Sequence, residues 1–186
     1  MTYFFEKIVH HQGGNSGEIV SYIQKALTCH GDEFQKVKAL AHEVSDLILS
    51  LDHYQQQGCH AVCPGCMEVC CINRHAYHEH EDIVYLMALG EKIPTYGVGV
   101  PDMDPCQFLG EYGCSINRNL RPHRCNAYFC SPFLEYMQEG SAPAYRRFVN
   151  DLELLTRKRE EMLEAFFRSR MLYKTTSGKF APANFY

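Results

Sequence analysis

The chain lacks the features that would tie it to a membrane, a nucleic acid or an exported fold. It has no apolar run long enough to cross a bilayer and no basic block, and its formal net charge is -4. We therefore expect neither a membrane nor a nucleic acid as its main partner. The start, MTYFFEK, has neither the long apolar stretch nor the cleavage site of a signal peptide. These absences predict a cytoplasmic protein, in which disulfides are uncommon.

Common catalytic and nucleotide-binding motifs are also missing. The sequence contains no GxSxG, no HExxH, no Walker loop and no Rossmann glycine pattern. The glycine pair of Gly97-Val98-Gly99 is the only one in a loop that would suit a methyl donor, and we interpret it as an ordinary turn. No catalytic residue can be assigned from the sequence, and whether the protein is an enzyme stays open.

Cysteine is what the chain has in excess, with 10 in 186 residues. An even count permits a disulfide framework, but the expected compartment and the chain length both oppose one. Cys29 stands alone near a predicted helix end, and we interpret it as a buried, inert thiol. The other nine form two groups, Cys59-x3-Cys63-Pro64-Gly65-Cys66-x3-Cys70-Cys71 and Cys106-x7-Cys114-x10-Cys125-x4-Cys130.

The spacing of these nine cysteines predicts a metal centre. Two cysteines separated by two residues, as in Cys63-Pro64-Gly65-Cys66, can direct both sulfurs at one ion. Thiolates are soft ligands that select zinc, copper(I) or iron–sulfur clusters. We expect the two groups to converge in space and to hold the metal together. The candidate ligands are Cys59, Cys63, Cys66, Cys70, Cys71, Cys106, Cys114, Cys125 and Cys130.

Charged and imidazole side chains accompany the cysteines. His60, His75 and His123 could each support or replace a thiolate, although we interpret each one singly as a surface or supporting residue. A four-thiolate centre carries net negative charge, which nearby arginines could offset. A solvated basic loop explains the same arginines equally well. The arginines concerned are Arg118, Arg121 and Arg124.

Helical periodicity flanks the cysteine groups. We predict helices over about 17–29, from Asp32 to Gly58, from His78 to Gly90, from Ser131, and over about 144–172. Two of them carry apolar stripes that we expect to be buried. The first stripe is Phe34, Val37, Leu40, Ala41, Val44, Leu47, Ile48, Leu51 and Tyr54. The second stripe is Tyr145, Phe148, Val149, Leu152, Leu155, Met162, Leu163, Phe166 and Phe167.

The predicted fold is mainly α, a helical frame with a cysteine-rich, loop-built metal-binding head. Residues 1–58 would form an N-terminal helical segment, residues 59–131 the cysteine-cluster metal-binding region, and residues 132–186 a C-terminal helical segment. We expect the three to make one compact domain. The cysteine region lacks an apolar pattern of its own, so a bound metal would supply part of its folding free energy.

The cysteine region resembles the CxxCxxCC cysteine-cluster family, described as a zinc- or iron-chelating domain. The likeness covers about residues 59–130. Two positions depart from the family pattern, because three residues instead of two precede the Cys70-Cys71 pair and Asn126 replaces an arginine. The matching stretches are Cys63-x2-Cys66-x3-Cys70-Cys71, Cys106-Gln107-Phe108-Leu109, Gly113-Cys114-Ser115-Ile116 and Arg121-Pro122-His123-Arg124-Cys125-Asn126-Ala127-Tyr128-Phe129-Cys130.

The resemblance implies a metal-binding protein and permits an enzyme, since the family includes the flagellin lysine methylase, for which an iron–sulfur cluster is proposed. Our first hypothesis is an iron–sulfur cluster used in redox chemistry or in modification of a partner protein. The alternative is a zinc-stabilised accessory or interaction module without catalytic activity. Cys63-Pro64-Gly65-Cys66 favours zinc, whereas Cys130-Ser131-Pro132 and the long irregular spacings favour iron–sulfur, which we prefer.

Overall fold

The computed structural model describes residues 20–21, 23–24, 27, 32–66, 69–97, 99–111 and 113–177. The described chain divides into two compact units. Unit 1 comprises the described residues within Met1–Glu43, His78–Pro94 and Lys158–Tyr186. Unit 2 comprises those within Val44–Tyr77 and Thr95–Arg157. The boundaries of these units differ from those of the three segments predicted from the sequence. The division into three segments stays a prediction.

The described chain is mainly helical, as predicted. Its helices are α1 (Asp32–Val62), α2 (Asn73–Ala76), α3 (His80–Leu89), α4 (His123–Ala127), α5 (Ser131–Glu139) and α6 (Ala142–Ser177), with 3-10 turns at Cys63–Gly65 and Arg118–Leu120. Two short strands, β1 (Leu109–Gly110) and β2 (Gly113–Cys114), pair antiparallel with Leu109 opposite Cys114. None of the helices in the described part of the chain combines the length and apolar character that a bilayer span requires.

The predicted burial is confirmed for nearly all of the α1 stripe and for part of the α6 stripe. In α1 the predicted stripe residues are buried except Leu47, which is half-buried. In α6 the stripe is buried only in part, and Phe167 is exposed. The buried members are Phe148, Leu155, Met162 and Phe166, and the half-buried members are Tyr145, Val149, Leu152 and Leu163. Residues 20–21, 23–24 and 27 are helical, and the rest of the helix predicted over 17–29 lies outside the described residues.

Gly58 does not end α1, so that predicted boundary is wrong. The helix continues to Val62 and carries Cys59 in its last turn. A methyl group at Gly58 would collide with the ring of Phe133 in α5, whose Cδ2 would lie only 2.6 Å from the added carbon. Glycine at this position therefore serves a close approach between an aromatic ring and a helix backbone.

Local capping explains where α3 and α6 start. The Asp82 carboxylate accepts a hydrogen bond from the Glu79 backbone N–H (3.0 Å), which favours the start of α3. Gly90 ends α3 in the left-handed region at φ 79°. Ser131 begins α5 as predicted. The Ser141 hydroxyl accepts a bond from Ala144 N–H (3.3 Å), and α6 therefore begins slightly earlier than predicted.

An aromatic cluster forms the core of unit 2, where it lies beside the second cysteine group. Phe148 is 1% exposed and stands at its centre, with ring centroids of Phe129 and Tyr54 at 4.9 and 5.6 Å. Edge-to-face ring pairs of this kind add about 0.5–1.5 kcal/mol beyond their buried area. Phe129 lies between Cys125 and Cys130, so it anchors that cysteine segment to the helices. The cluster consists of Tyr54, Phe129, Phe133, Tyr145 and Phe148.

Candidate metal centre

All nine cysteines of the two predicted groups belong to unit 2, and none of the nine is in a disulfide. The exposed ones are Cys59, Cys63, Cys70 and Cys71. The half-buried ones are Cys66, Cys106, Cys114, Cys125 and Cys130. Cys29, the tenth, lies outside the described residues. The nine therefore keep their sulfurs available as ligands.

Cys59 and Cys63 stand together because α1 runs on past Gly58 into the 3-10 turn. They are four residues apart on a helical backbone, which places their side chains on one face, and their thiols are hydrogen-bonded. Desolvation and the neighbouring Cys59 raise the pKa of Cys63 to about 12. The charges of Cys70 and Cys130 contribute to that rise, so Cys130 of the second group lies within electrostatic range of Cys63 in the first.

The close contact at Gly58 explains how Cys130 reaches the end of α1. Phe133 rests against the backbone of Gly58, one residue before Cys59. Cys130 immediately precedes the helix that carries Phe133, and its carbonyl accepts the Leu134 N–H (3.0 Å) in the first turn. Packing of α5 on α1 thus brings together two cysteines that are far apart in sequence.

Cys70 and Cys71 connect the first group to the second. The backbone N–H of Cys106 donates to the carbonyl of Cys71 (2.8 Å). The Cys71 thiol donates to Cys70, which lowers the pKa of Cys70 to about 6 and raises the pKa of Cys71. Desolvation and the charges of Cys70, Cys125 and Cys106 raise the Cys71 pKa as well. An adjacent pair with opposite shifts shares one proton between two sulfurs.

Cys106, Cys114 and Cys125 form the rest of this neighbourhood. Cys106 precedes the β1–β2 hairpin, and Cys114 pairs with Leu109 within it. Desolvation raises the pKa of Cys106, and Cys114 raises it further. Desolvation, then Cys114 and Cys106, raise the pKa of Cys125 to about 12. The Cys125 thiol also donates to the carbonyl of His75 (3.5 Å). Each of these thiols therefore lies within electrostatic reach of the others.

Asn73 joins the chain segments that carry the two cysteine groups, and sequence reasoning missed it. It is 0% exposed. Its amide nitrogen donates to the carbonyls of Pro101 (3.1 Å), Asp104 (3.3 Å) and Pro105 (3.0 Å). Its amide oxygen accepts the Gln107 N–H (2.8 Å). One side chain thereby satisfies four backbone groups next to Cys106. The only local signal was a lone asparagine two residues after the Cys70-Cys71 pair.

Two arginines act on the thiols, as the sequence suggested. Arg118 is little exposed, and its guanidinium lies 3.7 Å from the Asp52 carboxylate. Burial lowers its pKa, while Asp52 and the charges of Cys59 and Cys125 oppose that shift. Arg121 lowers the pKa of Cys106 and of Cys125. Positive charge in a partly buried setting favours the thiolate form that a metal needs. Arg124 is exposed.

Among the three candidate histidines, His75 has contacts with the cysteine segments. Its Nδ1 lies 3.0 Å from the carbonyl oxygen of Cys70, and its own carbonyl accepts the Cys125 thiol. Its charge also lowers the pKa of Cys70. His60 is exposed at the end of α1, and His123 is half-buried at the start of α4. His75 therefore links the segments of Cys70 and Cys125 through hydrogen bonds.

Asn126, which stands where the family has an arginine, is a structural residue here. It is 1% exposed, and its amide nitrogen donates to the carbonyl of Arg121 (3.4 Å). Its own carbonyl accepts the side-chain amide of the buried Gln55 (3.1 Å). Asn126 thus ties the cysteine-bearing α4 to α1.

The glycine pair that might have served a methyl donor is engaged within the protein. The Gly97 N–H donates to the side-chain oxygen of Gln107 (2.6 Å). Gly99 adopts a left-handed φ of 72° in a turn, which suits glycine. The interpretation of this loop as an ordinary turn agrees with both observations.

The donors present suit a thiolate-bound metal in their chemistry. Thiols of the two groups influence one another's pKa values, and Arg118 and Arg121 are placed to offset negative charge. Across residues 32–66, 69–97, 99–111 and 113–177, no group of three or more histidine, cysteine, aspartate or glutamate side chains already forms a metal-holding arrangement. The sulfurs would have to lose their protons and close around an ion when it binds.

No family model matches the chain, and neither a curated protein nor a solved structure is significantly similar to it. The resemblance of residues 59–130 to the cysteine-cluster family therefore stays a prediction.

Proposed function

We propose that the protein is a metal-binding cysteine-cluster protein, with an iron–sulfur cluster as its preferred cofactor. The single observation that carries the proposal is that backbone contacts bring the two cysteine-bearing stretches of chain together. The Cys106 N–H donates to the Cys71 carbonyl (2.8 Å), and Phe133, three residues after Cys130, packs on Gly58 beside Cys59. A cytoplasmic protein without disulfides gains nothing from gathering free thiols unless they bind something. The resemblance of residues 59–130 to a zinc- or iron-chelating family supports the same reading.

The chain's own residues would hold the group and set its charge. The thiols would serve as ligands, Arg118 and Arg121 would offset their charge, and Asn73 would hold the two segments in register. An iron–sulfur cluster supplies one-electron redox chemistry when bound. That chemistry would serve either electron transfer or the modification of a partner protein.

Zinc is the second candidate, and one feature of the structure favours it. Cys63-Pro64-Gly65-Cys66 forms a tight 3-10 turn in which the Cys66 N–H donates to the Cys63 carbonyl (3.1 Å). Turns of this kind present two thiolates to one ion in structural zinc sites. In that case the protein is an accessory or interaction module whose metal only stabilises the fold.

Anaerobic purification followed by metal and acid-labile sulfide analysis tests the proposal. We expect iron and sulfide in similar amounts, together with visible absorbance that bleaches on reduction. Zinc without sulfide would select the accessory-module alternative. The double variant Cys71→Ala/Cys106→Ala should lose the metal, whereas Cys29→Ala, which removes a thiol outside both groups, should keep it. A purified, folded chain that contains no metal and takes up neither iron nor zinc would overturn the proposal.

A further inference from the structure

The cysteine-bearing part of unit 2 leaves three large apolar side chains in water. Val69 is 59% exposed, Met103 69% and Tyr128 55%, which makes them the three most exposed large apolar side chains in the described part of the chain. Exposed apolar groups that occur together mark interaction sites. Such a site requires that the segments carrying these three side chains lie next to one another.

The loop of Met103 is fastened to α2 on both sides of the exposed side chain. The Arg74 N–H donates to the carbonyl of Asp102 (2.8 Å), and the Asn73 N–H donates to the carbonyl of Asp104 (3.0 Å). These two hydrogen bonds hold the backbone immediately before and immediately after Met103. Met103 therefore belongs to a loop that lies against α2.

The segments of Tyr128 and Val69 reach the same short helix through His75. The ring centroids of His75 and Tyr128 lie 6.2 Å apart. The Nδ1 atom of His75 lies 3.0 Å from the carbonyl oxygen of Cys70, the residue that follows Val69. All three exposed apolar side chains thus belong to segments in contact with α2.

Two exposed arginines accompany these side chains. Arg74 belongs to α2 itself, and Arg124 lies in α4. The Tyr128 N–H donates to the Arg124 carbonyl (3.1 Å), so these two residues are one helical turn apart and share a face. Tyrosine, methionine and arginine are residue types that are enriched where proteins bind one another. The composition of this surface therefore favours protein binding.

The charge of these segments is opposite to that of the chain as a whole. Residues 69–78, 101–106 and 113–134 contain four arginines and two aspartates, whereas the formal net charge of the chain is -4. Complementary charge steers association and suppresses wrong partners. A positive surface on an acidic chain therefore selects an acidic partner. A nucleic acid fits less well, because the aspartates on both sides of Met103 would repel its phosphates.

We propose that Val69, Arg74, Met103, Arg124 and Tyr128 form a docking surface for an acidic segment of a partner protein that carries an apolar side chain. The arginines would pair with the carboxylates of that segment, and the three apolar side chains would cover its apolar residue. The inference goes beyond the proposed function, because none of the five residues is a candidate metal ligand.

Selection of binders from a random peptide display library on the purified full chain tests the proposal. We expect the enriched peptides to combine aspartate or glutamate with an aromatic or aliphatic residue. A synthetic copy of the leading peptide should bind about fivefold less tightly in about 0.3 M NaCl than in about 0.05 M, because salt screens exposed charge pairs.

A pair of double variants locates the binding. Arg124→Glu/Tyr128→Ser should weaken binding of the leading peptide by about tenfold or more, since it reverses a charge and removes an anchoring ring. The control, Arg147→Glu/Tyr136→Ser, makes the same two changes at exposed positions of α6 and α5 and should bind as wild type does. A copy of the peptide with lysine at its acidic positions should bind the Arg124→Glu variant more tightly than it binds wild type.

Three results would overturn the proposal. The first is enrichment of peptides without an acidic excess, or of none that depends on Arg124 and Tyr128. The second is equal weakening by the two double variants. The third is tighter binding of a single-stranded DNA oligonucleotide or of phosphatidylserine vesicles than of the leading peptide, which would assign the surface to a phosphate-bearing partner instead.

Discussion

The aromatic cluster and the cysteine segments, residues 63–76 and 101–130, lie in the same unit but are held together by different forces. In the cluster, Phe148 and Phe133 are buried against other rings, and removal of apolar surface from water accounts for the contact. In the cysteine segments the thiols are exposed or half-buried, and hydrogen bonds to carbonyls make the connections. The comparison teaches that burial of apolar surface holds the aromatic cluster, whereas the cysteine segments depend on polar links and, in our proposal, on metal.

Metal removal should separate the two regions most clearly. A bound metal contributes about 10 kcal/mol or more in small zinc domains. Chelation, or Cys66→Ser combined with Cys125→Ser, should therefore abolish hydrogen-exchange protection in the cysteine segments while most helix content survives. Segment-resolved hydrogen exchange measures the protection of the cysteine segments, and circular dichroism measures the remaining helix content. Cooperative loss of α1 and α6 together with the cysteine segments would show that the helices depend on the centre.

Removal of the central ring should damage the aromatic region instead. Phe148→Ala deletes a side chain that is 1% exposed, and such deletions cost about 3–5 kcal/mol. Denaturant unfolding should show this loss as a lower midpoint. Phe167→Ala removes a ring that is 37% exposed and should cost less than about 1 kcal/mol. Equal losses in the two variants would contradict the assignment of Phe148 as the centre of the core.

Asn73→Ala should loosen the cysteine segments and spare the aromatic cluster. It leaves the Gln107 N–H and the Pro105 carbonyl without their partner, and an unpaired buried group costs about 1–3 kcal/mol. The carbonyls of Asp104 and Pro101 keep their bonds from the backbone N–H groups of residues 73 and 104. Amide exchange at Gln107 should speed up by about tenfold or more. Asn150→Ala, at an exposed site on α6, is the control and should leave exchange unchanged. If the exchange protection of the Gln107 amide stayed the same, Asn73 would not be the residue that holds the two cysteine segments together.

Gly58→Ala tests the point where the two regions meet. Alanine in a helix interior normally stabilises by about 0.5–1 kcal/mol over glycine. Here its methyl group would collide with Phe133, so we expect destabilisation of about 1–3 kcal/mol. Gly65→Ala, which meets open space, should change little. Addition of Phe133→Leu should restore part of the lost stability, and a stabilising Gly58→Ala would refute the close contact.

Much of the helical frame followed from local pattern. Apolar residues at helical spacing predicted the buried faces of α1 and α6, because periodicity alone decides which side of a helix avoids water. The exceptions are the half-buried Leu47 in α1 and five residues of α6, namely Tyr145, Val149, Leu152, Leu163 and Phe167. The spacing of the cysteines likewise indicated soft donors in two groups, since ligand chemistry belongs to the residue type and not to its surroundings.

Long-range contacts decided the rest. The sequence alone predicts that α1 ends at Gly58, yet the helix continues past it. The reason for glycine at this position is the ring of Phe133 in α5, which would collide with any side chain there. The meeting of Cys71 with Cys106 depends on backbone groups that every residue carries, so no side-chain pattern announces it. Nothing near Asn73 in the sequence predicts its role, because its four hydrogen-bond partners are backbone groups of residues 101–107. The sequence by itself determined the helices and the kind of donor, and only the tertiary structure decided which thiols are neighbours, because that depends on contacts between residues far apart in the chain.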